Sequence, residues 1–91
     1  VDYYTKMEEL SAGKGIADLV FYPKVGVDKP ALLVELKWNK TKEAAIAQIK
    51  EKNYMNVLKN YHGNILLVGI NYNQETKEHS CLIEKAFCNN P

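Results

Sequence analysis

The 91-residue sequence predicts one small α/β (α+β) domain, with about five strands and a single helix. Three observations carry that reading. Apolar runs of strand length, rich in branched and aromatic residues, recur at Ile16 to Tyr22, Ala31 to Trp38, Ile65 to Ile70 and His79 to Phe87. One segment, from about Asn39 to Tyr61, instead places Ala44, Ile46, Ile49, Tyr54, Val57 and Leu58 in a helical pattern. Glycine, proline and asparagine punctuate the boundaries between these runs.

Composition narrows the class. An apolar fraction of 46% and a charged fraction of 25% are ordinary globular values. No run is long and apolar enough for a membrane helix, and no signal peptide is present, so a cytoplasmic protein is expected. Cys81 and Cys88 lack zinc-site or CxxC spacing and are expected to stay reduced. The net charge of +1 provides no broad basic footprint, so nucleic-acid contact would need a local patch. The chain starts at Val1, which suits a single domain over residues 1–91 cut from the C-terminal part of a longer protein.

The first strand is expected within Val1 to Leu10, where Tyr3 and Tyr4 supply aromatic bulk. Gly13 and Gly15 then allow a turn. In Ile16 to Tyr22, Ala17, Leu19 and Phe21 share one face, and Ile16, Asp18, Val20 and Tyr22 share the other. A loop from Pro23 to Pro30 leads to the third strand. There Leu32, Val34, Leu36 and Trp38 form a wholly apolar face, expected to meet the core. The opposite face starts with Ala31 and Leu33 and then switches to Glu35 and Lys37.

Asn39 or Thr41 is a suitable cap for the helix, with Glu43 in its first turn. His62-Gly63-Asn64 is a suitable stop. Ile65 to Ile70 is apolar throughout, as in a strand buried on both faces. Asn71 to Glu78 reads as a polar turn before the last strand, and the tail from Cys88 to Pro91 is expected to fray.

Register brings the acids together. If the second and third strands form a hairpin around the Pro23–Pro30 loop, opposed residue numbers sum to about 53. Tyr22 then faces Ala31, Val20 faces Leu33 and Asp18 faces Glu35. Like charges so placed are unfavourable, and a divalent cation between them would relieve the conflict. The same construction around Gly13 sets Glu8 opposite Asp18, or Glu9 if the glycines add a bulge. Hard oxygen donors of this kind suit Mg2+ or Mn2+ better than zinc. The competing reading is an Asp18–Lys37 ion pair at a sheet end. The grouping of Asp18, Glu35 and Lys37 on one face favours chemistry, in which Lys37 orients or deprotonates an attacking water or stabilises charge on a phosphate.

Asp18 followed by Glu35-Leu36-Lys37 resembles the D…(D/E)xK motif of the PD-(D/E)XK nuclease superfamily. Gly13-Lys14-Gly15-Ile16-Ala17-Asp18, together with Gln48 and Tyr54 on the helix, is similar to a narrower branch. That branch lies C-terminal to bacterial AAA-ATPase-like domains. The likeness extends from about Glu9 to Ile83, and departs at Ile16, where a basic residue is usual, and in lacking a helix before the first strand. It implies a restriction-endonuclease-like mixed sheet and Mg2+- or Mn2+-dependent hydrolysis of phosphodiesters in DNA, with RNA left open. By position, Asp18 and Glu35 would hold the metal with the Leu36 backbone carbonyl, Lys37 would assist the nucleophile and Gln48 would support the site. An N-terminal AAA-ATPase-like domain would be the partner, and homodimers occur among such enzymes. The alternative is a non-catalytic module that binds nucleic acid or docks on an ATPase domain.

The remaining residues read more plainly. Tyr54 and Trp38 suit packing, and Gln48 fits solvent as well as it fits the site. Lys40, Lys42, Lys50, Lys52 and Lys59 suit the wet side of a helix or contacts to phosphates. His62 and His79 have no spaced ligand partner.

Overall fold

The computed structural model describes residues 3–8, 18–52 and 63–88. Strands β1 (Tyr4–Glu8), β2 (Leu19–Pro23) and β3 (Ala31–Trp38) precede helix α1 (Lys42–Glu51), and β4 (Gly63–Asn73) and β5 (Glu78–Cys88) follow it. They form a five-stranded sheet in the order β1-β2-β3-β4-β5. Pairing is antiparallel except between β3 and β4, which are parallel. Parallel neighbours need a crossover, and α1 lies within that connection. No helix among the described residues is long and apolar enough to cross a membrane.

The β3 boundaries match the sequence reading, and local chemistry explains them. Between β2 and β3, Val27 N–H donates to the Lys24 carbonyl at 2.9 Å, and Gly26 takes φ 84°. A turn with positive φ at its third residue favours glycine there. After Trp38 the chain bends at Asn39, which adopts φ 55°. Thr41, rather than Asn39, caps α1, its Oγ1 accepting from Ala44 N–H at 2.9 Å. α1 ends at Glu51. The rest of the expected helical span, including Tyr54 and Lys59, lies outside the described residues, as do His62 and the glycine turn at 13–15.

Several boundaries differ from expectation: β2 runs from Leu19 to Pro23, with Asp18 just before it and Pro23 paired to Tyr4 instead of opening the loop. Gly63 and Asn64 do not end a helix; they open β4, opposite Cys88 and Phe87. Cys88 therefore closes a ladder instead of fraying. The polar turn also begins later than Asn71, because β4 continues through Asn73. Asn73 Oδ1 accepts from Glu75 N–H and Thr76 N–H at 2.9 and 3.1 Å, and this side-chain turn ends the strand.

The core required the largest correction. It consists of Val20, Ala31, Leu33, Ile46, Ile49, Ile65 and Leu67. These lie between α1 and the Ala31–Leu33 face of β3; on the Leu32–Trp38 face Val34 is buried as well, but the end of the strand is not. Leu36 and Trp38 are 44% and 60% exposed. Alternation alone could not choose, because β3 is apolar on both faces at its start. The choice falls to α1, whose buried residues Ala45, Ile46 and Ile49 cover one face only. Gly69 lets the helix sit close: a Cβ there would meet the Lys42 carbonyl oxygen at 2.6 Å and the Ala45 Cβ at 3.0 Å. As a result the charged end of β3 is tucked beside the helix.

Candidate active site

Glu35 and Lys37 stand two residues apart on β3 and so share the helix-covered face. Glu35 pairs in register with Gly69, and Lys37 with Asn71. Only 3% of Glu35 is exposed. Its Oε2 lies 4.0 Å from Lys37 Nζ, and its Oε1 is buried with no hydrogen bond among the described residues. Lys37 Nζ also donates to Gln48 Oε1 on α1. Gln48 follows the buried Ala45 by three positions, so it lies on the flank of the helix nearest the sheet.

The energetics explain why this grouping is unusual. Ion pairing 4.0 Å apart contributes about 4 kcal/mol at an effective dielectric of about 20. Removing a carboxylate from water costs several kcal/mol. The Lys37 ammonium, 24% exposed and shared with Gln48, therefore offsets part of the cost of burying Glu35.

Asp18 reaches the same sheet end from β2. The ladder pairs Leu19 with Val34, Val20 with Leu33 and Phe21 with Leu32, which is the register expected from the sequence. The ladder stops one step short of Asp18. There the Asp18 side chain takes over, with Oδ2 accepting from the Leu36 backbone N–H at 2.8 Å. One carboxylate is thus fixed against the backbone directly after the other. Lys37 forms its carboxylate contact with Glu35, so the simple Asp18–Lys37 pair is not what the described residues display.

The first hairpin shifts by one position. Glu8 pairs with Leu19 rather than Asp18, as in the bulged register. Glu9, the acid that register favours, lies outside the described residues. Among the described residues no group of three or more His, Cys, Asp or Glu is arranged to hold a metal. The two carboxylates still fit Mg2+ or Mn2+, because magnesium commonly binds through one or two carboxylates and keeps several waters.

Sequence reasoning missed two residues that build the site. Gly69 passed as part of an apolar run, yet it sets the closeness of α1 beside Glu35. Asn71 reads from the sequence as the start of a turn, yet it is a buried β4 residue, and its Oδ1 accepts from Lys40 N–H at 2.9 Å. That bond ties β4 to the start of the crossover. Its position opposite Lys37 was the available signal. Trp38 is not core: it meets Tyr72 edge to face, centroids 5.1 Å apart, and Tyr72 in turn meets His79 at 4.6 Å. Lys50 pairs with Glu84 at 2.5 Å on the wet side of α1. Cys81 is an exposed free thiol.

A family model described as PD-(D/E)XK nuclease superfamily matches residues 1–80. No curated protein and no solved structure matches the chain. The five-stranded mixed sheet with one crossover helix is consistent with a restriction-endonuclease-like α/β fold.

Proposed function

The chain belongs to the PD-(D/E)XK nuclease superfamily, and from that premise we propose that it is a metal-dependent nuclease hydrolysing phosphodiester bonds in DNA. The observation that carries this reading is the Glu35 carboxylate, 3% exposed, beside Lys37 and one residue from the backbone N–H that anchors Asp18.

Asp18 and Glu35 would hold Mg2+ or Mn2+, with the Leu36 carbonyl and Glu9 as further oxygen donors. When bound, the ion supplies Lewis acidity toward a phosphoryl oxygen and lowers the pKa of its water. The chain's own groups do the rest. The hydrogen bond from Leu36 N–H holds Asp18 in one orientation. Gln48 fixes the Lys37 ammonium by accepting from it, and the ammonium orients the attacking water or stabilises charge on the phosphate. α1, seated low on Gly69, shields the Glu35 side from bulk water.

An AAA-ATPase-like domain in the same polypeptide belongs to this proposal as the partner, as does a cytoplasmic setting. A non-catalytic module that binds nucleic acid or docks on an ATPase domain is the second reading. It draws on the two-carboxylate donor set of the described residues and on the engagement of Lys37 by Gln48. Plasmid and oligonucleotide cleavage with Mg2+ or Mn2+ separates the two. The nuclease reading expects cleavage that disappears with EDTA and in Glu35→Ala and Lys37→Ala. Cleavage unchanged in both variants would refute the site, and no cleavage with either metal would favour the second reading.

A further inference from the structure

The sheet face away from α1 carries a feature that hydrolysis does not use. A small, mostly apolar cavity of about 130 Å³ opens there, lined by Leu36, Lys37, Trp38, Ile70, Tyr72 and His79. Trp38 and Tyr72 are register partners on the parallel β3–β4 pair. Their rings meet at 81°, so the Tyr72 ring does not cover the indole by stacking, and Trp38 remains 60% exposed. His79 pairs with Tyr72 across β5 and completes an aromatic row over three strands.

We propose that this row is a stacking site for one unpaired nucleobase of the strand being cut. The proposal rests on the nuclease reading and names its substrate class as single-stranded nucleic acid. Size favours a base edge, because the cavity is well below the ~300 Å³ at which pockets for whole small-molecule ligands begin. Position favours it too. Trp38 follows Lys37 directly, with Cα atoms about 3.8 Å apart, and the two side chains leave opposite faces of the strand. A nucleic acid that places a phosphate at Lys37 and a base on Trp38 must fold over the rim of the sheet. A flexible single strand can do so, whereas a stiff duplex cannot. Charge agrees with this path. Lys40 lies two residues beyond Trp38, and Lys77 lies in the turn just before β5; both are exposed at this end of the sheet. Exposed acids Glu75 and Glu78 flank the same turn, which confines the favourable route to the Lys37–Lys40 side. Bases stack on aromatic side chains irrespective of sequence, so the site would confer preference for strand state rather than for sequence.

Trp38 is the sole tryptophan, so its fluorescence reports on this site directly. The test titrates the full chain with an oligothymidylate and with the matching duplex, in EDTA so that cleavage cannot contribute. Anisotropy of a labelled oligonucleotide tracks binding in parallel. The expected result is saturable quenching by the single strand at least about tenfold tighter than by duplex. Trp38→Ala should weaken single-strand binding about five- to a hundred-fold, and Trp38→Phe by much less. Because the side chain is exposed, both variants should fold. Emission that stays constant while anisotropy shows the strand bound would overturn the site, as would equal quenching by duplex. Emission that shifts with protein concentration alone would also overturn it and assign the face to a second copy. Cleavage with a silent Trp38 would reject stacking and leave the nuclease standing. Quenching without cleavage in Mg2+ would reject the nuclease and leave the binding site standing.

Discussion

Glu35 is held where a carboxylate is costly, and that cost yields a test. Removing one partner of a buried ion pair destabilises to the extent that it strands the other charge, and here the Lys37 ammonium is 24% exposed and also donates to Gln48, so the loss is limited. Glu35→Gln should therefore lower the melting temperature without metal only slightly, while cutting cleavage by about 100-fold or more. A structural carboxylate would behave differently, with activity following stability downward. Lys37 and Gln48 should separate in size. Lys37→Ala is expected to cost about 10²- to 10³-fold in kcat, as for loss of a charge-stabilising donor. Gln48→Ala, which acts through Lys37, should cost about 10- to 100-fold. Rescue of Gln48→Ala by Gln48→Glu, with a shifted pH profile, would show that Gln48 positions the ammonium.

At the scale of elements, the site depends on how α1 is seated. Gly69→Ala would drive a methyl to within 2.6 Å of the Lys42 carbonyl oxygen. Such overpacking typically costs about 1–3 kcal/mol, and lifting the helix should also lengthen the Lys37–Gln48 contact. Thermal melts and cleavage rates should therefore both fall. The helix start is tuned electrostatically as well. Glu43 is held below its ordinary carboxylate range, first by its backbone N–H hydrogen bond and then by neighbouring Lys42. A lowered folded-state pKa contributes stability above the unfolded value of 4.5, and that contribution is lost as pH falls through the folded value. Glu43→Gln should accordingly melt slightly lower than the parent at neutral pH, with the difference vanishing in acid.

Elements also show what the sequence made legible. The span of β3, a helix cap at Asn39 or Thr41 and the β2–β3 register are legible because proline, capping side chains and strand alternation are local signals, although only the structure chooses Thr41. The side of β3 that α1 covers could not be read. Ala31, Leu32, Leu33 and Val34 are all apolar, and only the packing of Ala45, Ile46 and Ile49 decides between faces. Asn71 escaped for a related reason: an asparagine after an apolar run reads as a turn until a distant backbone group, here Lys40 N–H, gives it a partner. The grouping of Asp18, Glu35 and Lys37 is within reach of the sequence because it depends on register, whereas Gln48 joins it there only through the family resemblance.

For the molecule as a whole, the described residues place one helix over one face of a sheet whose β3–β4 pair is apolar on both. Parallel strands are usually covered on both sides, so the Leu36–Trp38 face is where a ligand or partner gains most by binding. A net charge of +1 means that affinity for nucleic acid must come from a few cations. With Lys37 and Lys40 as the phosphate contacts, log affinity should fall with log salt at a slope of about −1 to −2, using ~0.7–0.9 counterions per contact. A much steeper slope would point to a wider basic surface.

The most direct measurement of the central claim is Mn2+-induced broadening of assigned backbone amide signals. If Asp18 and Glu35 jointly hold one divalent ion, substoichiometric Mn2+ should first broaden the amides of Glu35, Leu36 and Lys37. Glu35→Gln or Asp18→Asn should abolish that pattern. Broadening centred on surface acids such as Glu75 and Glu78, and unchanged by those substitutions, would contradict it.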